Sequence, residues 1–226
     1  LASSAASDVY KRQNLFIAII SFFEKRGPMN YTGEHAVNQL LRSYQRFYNI
    51  TRFDGIESPV PDDENALQEA KKISPFPEHD GVSLSAVCEY YEQTGQHLFF
   101  KSNEIWSANQ EEFIFLFKVD HLDGELFEKC KNYAHEEGLK MAHIGPGHMY
   151  TYISPVFICN SITESARKKL EKCRVYKSFK FSFHGWMELH TACLHIRDNT
   201  FYFNYAGRCM EKNLKNVLKE FTEKGA

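Results

Sequence analysis

Phe113-Ile114-Phe115-Leu116-Phe117-Lys118-Val119 is the stretch on which the fold turns. Five consecutive large apolar residues leave no polar face, so the run reads as a strand covered on both sides, at the centre of a sheet. Working outward, Asp123–Glu137 reads as a helix with Leu126, Phe127, Cys130, Tyr133 and Ala134 on one face and Gly138 as its stop. Tyr150–Cys159 is a strand. Ser161-Ile162-Thr163-Glu164 is a capping box that opens a helix through Ala166, Leu170 and Cys173. Val175–Phe183 alternates as a strand does. Strand, helix, strand, helix, strand from Phe113 to Phe183 permits parallel pairing through right-handed crossovers.

Upstream, Ser83–Val119 reads as an antiparallel meander, with a turn at Thr94-Gly95 and breaks at Ser102-Asn103 and Asn109-Gln110. Its first piece, Ser83–Tyr91, is also readable as a helix. Glu34–Tyr48 is an amphipathic helix. Leu189–Ile196 and Thr200–Tyr205 form a hairpin around Asp198-Asn199, and Met210, Leu214, Val217, Leu218 and Phe221 mark a last helix. The expected class is α+β: a mixed β-sheet, antiparallel meander plus βαβ units, with helices on both faces.

With 226 residues, 43% of them hydrophobic, the chain can build one sizeable core, and a single domain is expected over 29–226. Within it, 54–82 holds Pro59, Pro61, Pro75 and Pro77 and reads as an acidic loop or flap around a short helix at Asp62–Lys72. Asp8-Val9-Tyr10-Lys11-Arg12-Gln13 resembles the translated mosaic end of a transposase used to fragment DNA. Residues 1–28 are therefore expected to be a sequencing or translation artefact, or a disordered extension, with Met29 as a prokaryotic start. A genuine helix over Leu15–Lys25 is the competing reading. Six isolated cysteines, with no C-x-x-C pair, point to a reducing cytoplasm.

Charge is unevenly spread. From Asp54 to Glu92 ten carboxylates face two lysines, whereas from Ala166 to Ala226 thirteen cations face six acids. The acidic segment is expected to lie over the basic one and to gate it or neutralise it. The clearest candidate site lies on Arg174–His184. Taken as a strand, this segment puts Val175, Lys177, Phe179, Phe181 and Phe183 on one face, and Arg174, Tyr176, Ser178, Lys180, Ser182 and His184 on the other. That second face suits phosphate or carboxylate, nucleic acid included. Arg174, Tyr176, Lys177, Lys180, His184 and Arg208 are the expected ligand-binding residues, for an anionic small molecule or a protein partner. No membrane partner and no cofactor is expected.

Two other clusters carry chemistry. His143 and His148 flank Gly145-Pro146-Gly147 and are the candidate metal ligands, short of the three or four that zinc takes. His184 and Glu188 flank Gly185-Trp186 and are the candidate acid–base pair of a hydrolase. The order of three strands, helix, strand, helix, with Pro155-Val156-Phe157-Ile158-Cys159 followed by Thr163-Glu164-Ser165-Ala166-Arg167, resembles the core of restriction-endonuclease-like nucleases. That resemblance implies an acid-x-Lys on a strand, but Phe115-Leu116-Phe117-Lys118 carries leucine in the acid's place, so it implies a nuclease fold without its metal site. The first reading is a non-catalytic or regulatory module binding an anionic ligand or a protein partner; a His-dependent hydrolase, with or without a metal, and a degenerate nuclease-fold protein are the alternatives.

Overall fold

The computed structural model describes residues 32–53, 74–77, 81–97 and 104–210. Their elements are α1 (Gly33–Tyr44), β1 (Asn49–Arg52), β2 (Val82–His97), β3 (Glu104–Leu122), α2 (Gly124–Met141), β4 (His148–Ile162), α3 (Glu164–Lys172), β5 (Tyr176–Ser178), β6 (Trp186–Leu189), β7 (Ala192–His195), β8 (Thr200–Phe203) and a 3-10 helix, Ala206–Met210. All eight strands join one mixed sheet. β1, β2 and β3 are antiparallel, and β4 lies parallel to β3. The other edge of β4 is shared: β6 runs parallel along Tyr150–Ile153 and β7 along Val156–Cys159. β5 and β8 pair antiparallel with β6 and β7.

The doubly apolar run does sit at the centre. Phe113, Phe115 and Phe117 face α2 and α3, while Ile114 and Leu116 face α1, and all five are buried. Asp123 caps α2 by accepting from the backbone N–H groups of Glu125 and Leu126 at 2.9 and 2.8 Å. Gly138 does not stop α2, which runs on to Met141. A Cβ there would lie 2.8 Å from Ile153 Cδ1, so the glycine lets the helix approach β4 closely. Thr163, rather than Ser161, caps α3. Buried Asn204 ties the end of β8 inward, donating to the carbonyls of Cys173 and Leu189 and accepting from the amides of Thr191 and Gly207.

The meander is simpler than expected. Thr94 and Gly95 pair with Ala108 and Ser107, and no break falls at Asn109-Gln110, so β2 and β3 form one long hairpin. Ser83–Tyr91 is strand, and β1 is an element the sequence reading lacked. Residues 1–28, the Asp62–Lys72 helix, most of the acidic flap, the Ser102-Asn103 break and the last helix beyond Met210 lie outside the described residues, as does any apposition of flap and basic segment.

The main correction concerns Val175–Phe183. The alternation holds as far as Phe179: Val175 and Phe179 pack against the α2–α3 core, and Tyr176 lies on the opposite face. Strand β5 then ends, and Lys180, Phe181 and Ser182 take left-handed φ values of 46°, 52° and 69°. Left-handed conformation costs L-residues about 1–2 kcal/mol each. The turn is closed by backbone bonds from Phe183 N to Lys180 O, His184 N to Phe179 O, and Gly185 N to Ser182 O. Gly185 (φ 67°) seats it, because a Cβ there would meet Met149 O at 2.3 Å. The chain reverses here to lay β6 beside β5, so Phe181 and Phe183 point outward, 96% and 84% exposed.

Candidate functional site

On the α1 side of the sheet, α1 covers one half of the strands; the other half carries rings and carboxylates. Strand register explains their convergence. Glu112 lies opposite Tyr90 and Tyr152, Tyr150 opposite Trp186, and Glu188 opposite both Tyr152 and Tyr176. With a two-residue period, all these side chains emerge on one face. Tyr150, Trp186 and Tyr176 form a stacked series across three strands, with centroid spacings of 5.3 and 5.8 Å and interplanar angles of 27° and 28°. Tyr152 stacks on His190 at 4.3 Å, and the Tyr48 hydroxyl donates to Glu112 at 2.7 Å.

The series ends at the sheet edge on Tyr176, which is 59% exposed. Exposed Arg174 places its guanidinium 5.2 Å from the centre of the Tyr205 ring. Glu188 Oε2 lies 3.7 Å from His190 Nε2. Burial pushes the His190 imidazole down to about 4, keeping it neutral at neutral pH. Burial also raises Glu188, against the opposing pull of Arg174. Arg174, Tyr176 and Glu188, singled out from sequence, therefore do come together. Lys177 leaves them: it points to the other face, 5.7 Å from the Phe179 ring centre, beside His135, whose imidazole is lowered by burial first and then by Lys177 and Lys131. Lys180 sits in the left-handed turn, and Arg208 is exposed in the 3-10 helix. The cationic row is thus split, and no single cationic face spans 174–184.

The histidines expected around the Gly-Pro-Gly turn meet on the opposite face, through two residues the sequence reading missed. Glu111, 3% exposed, lies directly opposite Thr151. Its carboxylate accepts from His143 N at 3.2 and 3.1 Å and from the His143 ring Nδ1 at 2.9 Å. Thr151 Oγ1 lies 3.1 Å from Glu111 and 2.7 Å from buried His148 Nε2. His148 Nδ1 donates to the His184 carbonyl at 2.7 Å, because a carbonyl only accepts. The single Thr151 hydrogen can serve Glu111 or His148 but not both. His184 contributes its backbone, and both His148 nitrogens have hydrogen-bond partners, so His143 and His148 are joined through Glu111 and Thr151. Among the described residues, no group of three or more His, Cys, Asp or Glu is placed to hold a metal ion.

Five described cysteines, Cys88, Cys130, Cys159, Cys173 and Cys193, are buried and free, while Cys209 is exposed. No helix among the described residues is long and apolar enough to cross a membrane. Fold and site together define a mixed α+β domain with an aromatic, carboxylate-bearing sheet face. The chain belongs to the family described as "Domain of unknown function (DUF8052)", whose profile matches residues 66–216. No curated protein and no solved structure matches it.

Proposed function

We propose that the chain is a binding module, non-catalytic or regulatory, that takes a planar ligand bearing an anionic group at the β5 edge of the aromatic face. The observation that carries this reading is the Tyr150–Trp186–Tyr176 series, whose last ring is open to solvent two residues along the chain from exposed Arg174. A ring laid on Tyr176 extends the series, and ring stacking of this kind contributes about 1–3 kcal/mol. The guanidinium fork matches phosphate or carboxylate. Glu188 and Glu112 repel a polyanion, which favours a small molecule over nucleic acid. Mononucleotides combine ring and phosphate and are the natural probes. In titrations with AMP, GMP, CMP and UMP, saturable quenching of tryptophan emission is expected. Tyr176→Ala and Arg174→Ala should each weaken it about tenfold without lowering the melting temperature. No saturable response to any of the four, or equal responses in both variants, removes the proposal.

One observation favours a second reading, a hydrolase: the Glu188–His190 approach, with burial moving the two groups toward each other in acidity. Here His190, not His184, supplies the imidazole. Loss of p-nitrophenyl ester hydrolysis in Glu188→Gln would test it. A restriction-endonuclease-like core is also a proposal, supported by the order of helix, antiparallel strands, helix and parallel strand. Leu116, buried against the α1 side, brings no acid to that position.

A further inference from the structure

We infer that the turn from Phe179 to Gly185 is a docking tip for an anionic lipid surface. Two of its rings, Phe181 and Phe183, are almost wholly exposed. A ring that only filled space would have folded back, since apolar surface left in water is unfavourable. Holding both rings outward takes three successive left-handed L-residues, at Lys180, Phe181 and Ser182. Such strain persists only where the surroundings enforce it, and it marks segments built for contact.

The surroundings do enforce it. Gly185 is packed against the carbonyls of His148 and Met149, and the His184 carbonyl takes the His148 Nδ1 hydrogen at 2.7 Å. The tip is thereby pinned to the start of β4 and presented in one conformation, so little ordering remains to be done on binding. The neighbouring residues Ile144 and Met149 are exposed as well, at the same end of the sheet.

Chemistry selects the partner. Lys180 lies in the tip and Lys177 sits against its Phe179 ring, and no Asp or Glu occurs between Cys173 and Met187. Aromatic rings at the apex with lysines behind them match the layering of a bilayer surface: rings at the acyl boundary, ammonium groups at the headgroups. Anionic headgroups attract those cations within a Debye length. The turn also bonds its own amides, from Phe183, His184 and Gly185, so entering a poorly hydrated layer strands none of these three. A protein partner would need a matching pocket for each protruding ring; a bilayer needs none.

The test uses the full chain with phosphatidylcholine vesicles, with and without phosphatidylglycerol. Co-sedimentation is expected only with the anionic vesicles, and it should weaken with salt. In Phe181→Trp, emission should shift to the blue on adding them. The double variant Phe181→Ser/Phe183→Ser should lose about tenfold in vesicle partitioning and keep the wild-type urea midpoint, because neither ring is packed. Lys177→Glu/Lys180→Glu should abolish the anionic preference. The inference is overturned by no sedimentation with either vesicle, by equal partitioning of the serine variant, or by an emission spectrum of Phe181→Trp that vesicles leave unshifted. It falls too if size exclusion shows a dimer that the serine variant dissociates, since a second copy then covers the tip.

Discussion

One face of the sheet is divided in two. Beneath α1 it carries Ala86, Cys88, Ile114, Leu116, Val156, Ile158 and Ala192, all buried. In the same register, the neighbouring half carries Tyr90, Glu112, Tyr150 and Tyr152 on strands β2 to β4, and Trp186 and Glu188 on β6 beside them. The two-residue period is identical in both halves; what changes is whether a helix of the described fold lies above. A solvated sheet face needs only small or charged residues. Stacked rings interleaved with carboxylates are costly to leave half in water, and for that reason this half, rather than the better-packed one, carries the functional proposal.

The comparison can be broken at its stable end first. Leu116→Ala should cost about 2–5 kcal/mol, read as a fall in the urea midpoint, because the cavity opens in a fully packed layer. If the loss were under about 1 kcal/mol, the two halves would not differ as described.

The next effect is a pH dependence within the ring-bearing half. His190 has a folded value of about 4 against an ordinary value of 6.5. The unfolded chain takes up the proton first as pH falls. Its contribution to stability is therefore complete above pH 6.5 and is lost progressively toward pH 4, by roughly 3 kcal/mol in all. His190→Gln should flatten that window in denaturation curves. Glu188, raised by burial, acts in the opposite sense, losing its contribution as pH rises; it is common to both proteins and largely cancels in their difference.

Glu111→Ala should cost about 2–3 kcal/mol by stranding Thr151 and the His143 amide, and amide exchange should accelerate in the loop before β4. Smallest of all, Tyr176→Ala should leave stability within about 0.5 kcal/mol. A large loss there would make Tyr176 part of the core and remove the contrast with Leu116.

The crossover region was legible because its signals are local and agree with one another. Phe113–Phe117 has no polar face, Asp123 caps, and Ala166 and Leu170 recur at helical spacing; each maps onto an observed element. Glycine misled the reading twice, for one reason. Gly95 lies inside a strand and Gly138 inside a helix, where partners across the sheet hold the backbone regular despite the weak local preference. At Phe179–Gly185 the reverse occurred. The alternation was sound, but the chain had to return beside β5, and packing against Met149 fixed where it turned.

Of the candidate site, Arg174, Tyr176 and Glu188 could be named from residue type and period. Tyr150, Tyr152, Trp186 and His190 were not joined to them, since their meeting depends on which strands become neighbours. Glu111 carries no signal of its own beside Glu112 until Thr151 is placed opposite it.

By itself the sequence determined the layered α+β class, the central strand and the side of each strand that a residue occupies, because hydrophobic period and capping act over a few residues. Only the tertiary structure decided which residues of distant strands share a face, where α1 stops covering it, and that two phenylalanines face outward. Those outcomes depend on strand register and on close backbone contacts between segments far apart in the chain.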